Sequence, residues 1–402
     1  MKTRIYVVRH AEAEGNLFRR IHGQYESSVT ENGMRQIRAL QERFAEEAID
    51  ACYSSDLIRT RTTAQAVWVP KGLTLRPDPR FREVRLGVWE DVPFGQLERE
   101  EPEMMERFSA DPWNWHVQGA EDFPVYSRRF LDAMTEAAEQ CSGKTIVIFS
   151  HGCVIRSMQQ RLFFPPEAIR EIGHCDNTGV SLLEYEGGVY RKIYLNDNSH
   201  LPREISTFSR QNWWRKAGSR ADRNLWFRPM EDDPGWYIAC RRDAWEAVYG
   251  RTALFDGMAY YREARAAALK ERWALCEVML GEERVGLLQL DPDRGAEQGI
   301  GYLPFLYLAP GLRGCGLGIQ ILGQAVSHYR KCGRDRLQLS VSPRNGRALA
   351  FYRKYGFTEA GHTPGLTGEL IRMEWDLKLD RYLAAGPDMQ ETKKWPPAAA
   401  IL

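Results

Sequence analysis

Two histidines in this sequence follow short apolar runs and have neighbours suited to phosphate chemistry. Arg9 and His10 come directly after the run RIYVV (4–8). His151 comes directly after the run TIVIFS (145–150). Neutral imidazole is a nucleophile near pH 7, and a guanidinium group is a permanently charged donor for phosphate oxygens. If both runs are parallel strands of one sheet, their carboxyl ends lie at one edge, and the sequence predicts a phosphoryl-transfer site there.

A second feature with chemical potential is the glycine-rich turn LAPGLRGCGLGIQ (308–320), which follows an apolar run and opens a helical pattern. Such a turn presents backbone N–H groups and the positive end of a helix to a pyrophosphate. It lacks the Gly-Lys-Ser/Thr ending of a Walker loop, and it does not open its domain as a dinucleotide-binding turn does. The turn therefore predicts a binding site for a phosphate-containing cofactor of another kind.

The elements that position the histidines alternate between strands and helices. Thr30 is a candidate N-cap, and Met34, Ile37, Leu40 and Phe44 fall on one face of the helix that follows. Buried strands alternating with amphipathic helices predict an α/β domain with a mainly parallel sheet.

The elements around the glycine-rich turn differ. A hairpin is predicted over 273–291, a strand ends in FLYL (305–308), and a helix runs from the turn to about Lys331. A strand over 336–341 and a helix from about Asn345 follow. This order predicts a mixed α/β domain.

The length of 402 residues exceeds what one hydrophobic core usually serves. The stretch 205–221 is polar and without clear period, which predicts a linker between domains over 1–204 and 222–378. The segment 379–402 is predicted to be a flexible tail.

Composition narrows the class of protein. The net charge of +1 gives no reason to expect a nucleic-acid partner, and no apolar run approaches the roughly 20 residues of a membrane helix. Eight scattered cysteines without a C-x-x-C pair indicate free thiols in a reducing compartment and no zinc site. With no signal-peptide pattern at the N-terminus, we expect a cytoplasmic protein without a membrane partner. Its oligomeric state stays open.

Aromatic and basic residues lie in and beside the linker. They are Trp213, Trp214, Trp226, Arg215, Lys216, Arg220 and Arg223. They could form a stacking platform for nucleic acid, or the Trp side chains could pack between the domains with the cations solvated. Because the rest of the chain is not basic, packing is favoured.

Residues 1–204 resemble the histidine phosphatase superfamily, which has the phosphoglycerate-mutase-like fold. The matching segments are RHAEAEGN (9–16), SSDLIRTRTTA (54–64), FREVRLGVWE (81–90), GAED (119–122) and SHG (150–152). Ala11 replaces the commoner Gly, and Asp91 stands where the family often has Gly. The resemblance implies a three-layer α/β/α domain that forms a phosphohistidine and needs no metal.

The resemblance also implies a role for each site residue. The implied catalytic residues are His10 as nucleophile, Arg9, Arg59 and His151 as phosphate ligands, and Glu83 as the acid. Asn16 and Gly152 are implied to bind substrate. Taken alone, Arg59 could be a solvated charge, and Glu83 could form a salt bridge with Arg85. Glu83 and His151 are only about 70 residues apart, which favours a phosphatase over the family's mutases with their longer insertion.

Residues 222–378 resemble the GNAT N-acetyltransferase superfamily. The loop from Arg313 to Gly318 is similar to its R-x-x-G-x-G motif, and NGRALAFYRKYGF (345–357) is similar to its C-terminal signature. The resemblance implies acetyl-CoA as cosubstrate and Tyr352 as the proton donor to the CoA thiolate. The implied acetyl-CoA-binding residues are Leu306, Leu308, Arg313, Gly314, Cys315, Gly316, Leu317, Gly318 and Asn345. The base stays open: Glu297 is one candidate, but an exposed carboxylate near a turn more commonly has no catalytic role.

The two constellations together predict a bifunctional enzyme. It would hydrolyse a small-molecule phosphate ester through a phosphohistidine and acetylate a small-molecule amine from acetyl-CoA. One alternative is a phosphatase with a regulatory, acyl-CoA-binding sensor domain. Another is a phosphotransferase of the phosphoglycerate-mutase type. Neither substrate is named by the sequence.

Overall fold

Two β-sheets organise the chain. The computed structural model describes residues 1–211, 223–250 and 252–383. The first sheet contains β1 (Thr3–Arg9), β2 (Ala51–Ser54), β3 (Leu75–Pro77), β4 (Thr145–Ser150), β5 (Val180–Glu186) and β6 (Val189–Asp197). The second contains β7 (Trp226–Pro229), β8 (Leu275–Leu280), β9 (Glu283–Asp291), β10 (Ile300–Leu308), β11 (Arg336–Val341), β12 (Thr358–Gly365) and β13 (Gly368–Asp376).

Helices cover the faces of both sheets. Those of the first half are α1 (Glu14–Phe18), α2 (Glu31–Arg43), α3 (Ile58–Trp68), α4 (Phe94–Glu100), α5 (Pro102–Ala110), α6 (Phe123–Gln140), α7 (Gly152–Phe163) and α8 (Thr207–Arg210). Those of the second half are α9 (Pro234–Tyr249), α10 (Gly257–Lys270), α11 (Gly318–Lys331) and α12 (Gly346–Lys354). Within the described ranges, no helix is both long and apolar enough to cross a bilayer.

The first sheet has the strand order β3-β2-β4-β1-β5-β6. The pairs β3–β2, β2–β4 and β4–β1 are parallel, whereas β5 and β6 extend the sheet in antiparallel fashion. In the β1–β4 register, Arg9 lies opposite Ser150. His10 and His151 therefore leave neighbouring parallel strands at the same edge, as the sequence predicts.

Alternation along β1 produces two cores. Ile5 and Val7 pack in the core under α6 and α7, whereas Tyr6 and Val8 pack in the core under α2 and α3. The α2 helix begins where predicted, because the Thr30 side chain accepts the N–H of Gly33. The apolar face of α2 is buried: Met34, Ile37, Leu40 and Phe44. The first domain is thus a three-layer α/β/α structure with a mainly parallel sheet, as expected.

The second sheet has the order β12-β13-β11-β10-β9-β8-β7. β10 and β11 are parallel, but they pair only over Ile300–Tyr302 and Arg336–Gln338. β10 then continues to Leu308 paired with β9 alone. The two strands therefore diverge in front of the glycine-rich turn. This domain is mixed α/β, as expected.

The two domains share side chains at their boundary. Phe18 of α1 packs in the core formed by α11 and the second sheet. A Cβ on Gly323 of α11 would lie 2.5 Å from the Phe18 Cβ, so the two helices need glycine there to approach this closely.

The predicted linker and tail are partly described. Residues 205–211 lie on the first domain, where Gln36 donates to the Ile205 carbonyl. Trp213 and Trp214 lie outside the described residues, whereas Trp226 is buried and donates from Nε1 to the Gly281 carbonyl at 2.7 Å. Of the predicted tail, residues 379–383 are described, and Arg381 there forms an ion pair with Glu14 at 3.0 Å.

Candidate active sites

His10 lies at the carboxyl end of β1 and is almost fully buried. Its backbone N–H donates to the Ser150 carbonyl at 2.9 Å. Its Nδ1 lies 2.7 Å from the Ala11 carbonyl oxygen, which can only accept a hydrogen bond. The proton of neutral His10 therefore belongs on Nδ1, and the lone pair of Nε2 stays available for attack on phosphorus.

The surroundings of His10 keep it neutral. Burial, and then the guanidinium groups of Arg59 and Arg9, lower its pKa well below the usual value. The His151 ring centroid lies 5.2 Å from that of His10, and burial and Arg59 likewise lower the pKa of His151. His151 was predicted to donate to phosphate if protonated. In the ligand-free pocket it is neutral, and it offers one N–H instead of two.

Two arginines supply the positive charge. Arg9 Nη1 donates to the Cys175 carbonyl, and Arg59 donates to the carbonyls of Tyr25 and Gly23. Among the described residues, neither arginine forms an ion pair with a carboxylate, and the Nε of each is buried without a partner. Burial lowers the pKa of Arg59 to about 10, which leaves it charged at neutral pH. Two buried cations that form no ion pair with a described residue make a site suited to an anion.

Glu83 is held at the N-terminus of α7. Its Oε2 accepts the Cys153 N–H at 3.0 Å, and its Oε1 accepts the Val154 N–H at 3.1 Å. The salt bridge that Arg85 could have formed is absent, since Arg85 is exposed and its side chain forms no ion pair within the described structure. The start of α7 thus fixes Glu83 beside His151, which precedes that helix.

Asn16 and Gly152 complete the phosphate end. Asn16 Oδ1 accepts the Ala13 N–H at 3.0 Å and the Asn177 side-chain amide at 3.4 Å, which reserves the Asn16 Nδ2 as a donor. A Cβ on Gly152 would lie 3.3 Å from Arg9 Nε. A side chain there would crowd the guanidinium, and glycine allows the close approach.

A cavity of about 410 Å³ opens at this site. Arg9, Asn16, Glu83 and Gly152 line its phosphate end. Apolar side chains form much of the remaining wall: Leu86, Phe94, Met105, Phe108, Phe123 and Ile169. The cavity can hold a phosphate ester whose organic part extends from the phosphate toward α4 and α5.

The glycine-rich turn lies where β10 and β11 diverge. Gly314 and Gly316 have φ of +84° and +79°, and a Cβ on either would meet no atom within 4 Å. No described residue accepts a hydrogen bond from the N–H groups of 314–317, and no side chain caps the start of α11. The exposed N–H groups and open space fit the pyrophosphate of acetyl-CoA.

The residues around the turn have separate roles. Arg313 donates from Nε to the Leu308 carbonyl and forms an ion pair with Asp243 at 2.6 Å, so it braces the turn. Leu317 is buried beneath the turn, and Cys315 is exposed. Gly318 begins α11.

The end of β10 has an unpaired edge. The Ala309 N–H donates to Val285 of β9, so the N–H groups of Leu308 and Leu306, which alternate with it, point away from β9. β11 does not pair with this part of β10. The N–H groups of both leucines can therefore bind a pantetheine arm as an added strand, whereas the Leu308 carbonyl already accepts a hydrogen bond from Arg313 Nε.

Asn345 and Tyr352 belong to α12. Asn345 is the N-cap, and its Oδ1 accepts the Ala348 N–H at 3.1 Å, so its side chain supports the helix. Tyr352 lies two turns further along α12, and burial raises its pKa well above the usual value. A neutral Tyr352 hydroxyl can donate a proton. Glu297 is exposed on a short helical turn before β10.

Comparison with known proteins assigns both halves of the chain. The profile of the histidine phosphatase superfamily (branch 1) matches residues 5–198. "Probable phosphoglycerate mutase GpmB" of Yersinia pestis strain Pestoides F is 32% identical over 183 residues, which are 45% of this chain and 85% of that protein. The chain belongs to the histidine phosphatase superfamily.

Other known proteins are also similar to this chain. The GpmB protein of Yersinia pseudotuberculosis serotype O:1b has the same identity and coverage. The solved structure of Bacillus stearothermophilus YhfR is 27% identical, with a TM-score of 0.48 over 49% of this chain and 98% of that one. The profile of the acetyltransferase (GNAT) family matches residues 235–357. The chain thus joins a histidine phosphatase domain to a GNAT domain, and acetyltransferases of the GNAT family use acetyl-CoA.

Sequence reasoning missed one histidine of the phosphatase domain. His22 lies outside the sequence motifs, which leave open a structural or a substrate-contacting role. Its ring centroid lies 6.1 Å from that of His10, and its Nε2 accepts the Gly15 N–H at 2.6 Å. His22 therefore supports α1, the helix that carries Asn16. Its position in a loop outside the motifs offered no signal of this contact.

Proposed function

We propose that the protein is a bifunctional enzyme that hydrolyses a small-molecule phosphate monoester and acetylates a small-molecule amine from acetyl-CoA. Membership of the two families supports a phosphatase and an acetyltransferase. The observation that carries the hydrolytic half is the tautomer of His10 fixed by the Ala11 carbonyl, beside two arginines that form no ion pair with a described residue. The observation that carries the second half is the open glycine turn at the divergence of β10 and β11.

In the first hydrolytic step, the Nε2 lone pair of His10 attacks phosphorus and the ester P–O bond breaks. Arg9 and Arg59 stabilise the negative charge on the equatorial oxygens. Glu83, in its protonated form, gives a proton to the leaving oxygen.

The second hydrolytic step regenerates the enzyme. The Glu83 carboxylate takes a proton from water, the water oxygen attacks phosphorus, and the P–N bond to His10 breaks. Inorganic phosphate and neutral imidazole result.

For acetyl transfer, acetyl-CoA supplies the acetyl group when bound. The N–H groups of the turn and of Leu306 and Leu308 would hold the pyrophosphate and pantetheine parts. Tyr352 would give its hydroxyl proton to the departing sulfur.

The first experiment measures hydrolysis of para-nitrophenyl phosphate by His10→Ala. Loss of the nucleophile should reduce kcat by at least about 10³-fold. His116→Ala is the matched control, because His116 is exposed and, among the described residues, contacts Asp122 at 3.1 Å. It should keep wild-type turnover. Turnover by His10→Ala at the wild-type rate would exclude a phosphohistidine.

The second experiment measures free thiol released from acetyl-CoA over a panel of amines. Tyr352→Phe removes only the hydroxyl, and the rate of thiol release should fall by about 100-fold. Tyr355→Phe on the same helix is the control and should retain activity. If no amine is acetylated and Tyr352→Phe instead alters phosphate hydrolysis, the sensor alternative replaces the acetyltransferase.

A third experiment separates hydrolysis from phosphoryl transfer. With phosphoglycerate as substrate, a phosphatase releases inorganic phosphate, whereas a mutase yields the isomeric ester. Isomer formation without phosphate release would contradict the proposal.

A further inference from the structure

Two charged side chains in the wall of the phosphatase cavity are tied to one residue near the GNAT domain. Arg19 and Glu98 line the cavity. Arg19 donates from Nε to Asn224 Oδ1 at 2.9 Å, and Asn224 donates from Nδ2 to Glu98 Oε1 at 2.6 Å. Asn224 directly precedes the stretch that enters β7, and it is buried. A single amide therefore fixes two charges of the cavity wall.

Asn224 is itself fixed by the helix that starts at the glycine turn. Gln320 accepts the Leu225 N–H at 2.8 Å and donates to the Arg223 carbonyl at 2.9 Å. Both backbone groups flanking Asn224 are thus held by one side chain. Gln320 lies in the first turn of α11, two residues after Gly318. A continuous set of hydrogen bonds runs from that turn to the phosphatase cavity.

The fit between α4 and this stretch is close. A Cβ on Gly95 of α4 would lie 2.6 Å from the Leu225 carbonyl oxygen. α4 also carries Glu98, so a shift of the backbone at 224–225 moves the cavity wall. Burial raises the pKa of Glu98, while the hydrogen bond from Asn224 and the charge of Arg19 oppose this rise.

We propose that Asn224 is a positioning residue of the phosphatase cavity, and that acetyl-CoA bound at the glycine turn changes the affinity of the cavity for phosphate esters through Gln320 and Asn224. The inference rests on the proposed function of both sites. Coupling between two ligands is reciprocal, so a ligand in the phosphatase cavity changes the affinity for acetyl-CoA by the same factor.

The test uses the full chain and para-nitrophenyl phosphate. Saturating acetyl-CoA should change KM by about fivefold or more and leave kcat nearly unchanged. Dephospho-CoA is the second probe. It lacks the 3′-phosphate monoester of CoA and cannot compete for the phosphatase site as an ester. Dephospho-CoA should produce the same shift. A shift seen only with acetyl-CoA indicates competition and overturns the proposal.

Variants locate the coupling. Asn224→Ala should change KM in the absence of acetyl-CoA and remove the response to it. Asn224→Asp keeps an acceptor for Arg19 but places a carboxylate against Glu98, so it should weaken the response to acetyl-CoA without restoring the wild-type KM. Arg99→Ala is the matched control: Arg99 lies beside Glu98 on α4 and stacks on Trp226 at 4.4 Å, across the same boundary. It should retain the full response.

A reciprocal measurement needs no variant. Inorganic phosphate should change the Kd of acetyl-CoA for the wild-type chain by the same factor by which acetyl-CoA changes the Kd of inorganic phosphate. If acetyl-CoA leaves KM unchanged and phosphate leaves the Kd of acetyl-CoA unchanged, this inference is overturned and the proposed function stands. Absence of hydrolysis or of acetyl-CoA binding overturns the proposed function, and this inference with it.

Discussion

At the scale of single residues, the phosphatase site places neutral imidazole rings among permanent cations. Burial lowers the pKa of His10, His22 and His151, and in each case Arg59 lowers it further. A nucleophile that would otherwise be half protonated near pH 6.5 thus keeps its lone pair under mildly acidic conditions.

The lowered pKa of His10 predicts how the rate of hydrolysis depends on pH. The kcat/KM for a phosphate ester should not fall between about pH 8 and pH 6 through protonation of His10, because its folded-state pKa lies well below 6.5. The measurement is a pH profile of kcat/KM. A descending acid limb centred near 6.5 in wild type would contradict the lowered pKa of His10, and His116→Ala, at a residue outside the cavity, should give the wild-type profile.

The same histidines predict how stability depends on pH. The unfolded chain binds protons at these rings as the pH falls below 6.5, whereas the folded chain does not. Stability is therefore complete above that pH and falls below it, by up to about 1.4 kcal/mol per pH unit for each histidine. Urea unfolding followed from neutral to acidic pH measures this. A free energy of unfolding that is unchanged across that range would contradict it.

Motif spacing predicted several residues that the structure brings together at one edge of the sheet, but it did not predict the residues that support them. Arg9, His10 and His151 could be located because they follow predicted parallel strands. Asn177 could not, although it donates to the His10 carbonyl at 2.9 Å, because it is 167 residues away in sequence and lies in a loop without a pattern.

At the scale of elements, α11 serves both domains. It begins at the glycine turn, and in its last turn the guanidinium of Arg330 pairs with Glu14 at the start of α1. Burial would raise the pKa of Glu14, but Arg330 and Arg381 lower it to about 2. The contribution of this pair to stability is therefore complete above pH 4.5 and is lost as the pH falls toward 2.

Removal of one partner should reveal the strength of this contact. Arg330→Met leaves the buried Glu14 carboxylate with Arg381 alone, and the free energy of unfolding should fall by about 3 kcal/mol. Arg353→Met is the control, since its pair with Glu359 is exposed and should contribute less than about 1 kcal/mol. Equal effects of the two substitutions in denaturant titrations would contradict the structural role of Glu14.

The glycine turn predicts a local effect on ligand binding. Gly316→Val strains a backbone with φ of +79° and fills the open space in front of α11. It should weaken acetyl-CoA binding by at least about tenfold, with little change in hydrolysis in the absence of acetyl-CoA. Gly311→Val is the control, because Gly311 also has open space but does not have a positive φ. Calorimetric titration measures both, and an unchanged Kd for Gly316→Val would contradict the site.

Strong periodicity made some elements predictable. The segments that became β4, α2, β11 and the end of α11 agree closely with expectation. The hairpin of β5 and β6 was not foreseen, because β6 has no buried residue and lacks an apolar run.

From the sequence, the polar side chains of α11 could be assigned to a solvated face of that helix. Gln320, Gln324 and Arg330 instead contact other parts of the chain, which only the tertiary structure could show.

At the scale of the whole molecule, the two domains are joined by shared side-chain packing and ion pairs. Phe18 from the first domain lies in the core of the second, and Asp91 pairs with Arg20 while also contacting Lys331 of α11. The predicted boundaries follow the order of the two domains along the chain. The hydrophobic cores do not follow these boundaries, because the core of the second domain includes a residue of the first.

A substitution at the crossing of α1 and α11 tests this union. Gly323→Leu would place a side chain against Phe18 and push α1 away, so hydrolysis should fall while acetyl-CoA binding is retained. Gly346→Ala is the control, because a Cβ at Gly346 meets open space and hydrolysis should be unchanged. Gly333→Leu would not be a suitable control, because Gly333 has a positive φ. Wild-type hydrolysis by Gly323→Leu would show that the contact between α11 and Phe18 does not position α1 at the phosphatase site.

The packing of Phe18 has a consequence for synthesis on the ribosome. Phe18 and Glu14 emerge early, but their partners on α11 and at Arg381 are made about 300 to 370 residues later. At about 5–20 residues per second, this leaves an apolar ring and a carboxylate uncovered for roughly 15 to 75 seconds. The nascent first domain thus exposes both groups to other proteins. Chaperone capture of ribosome-bound chains should end only when the last strand of the second sheet has left the exit tunnel.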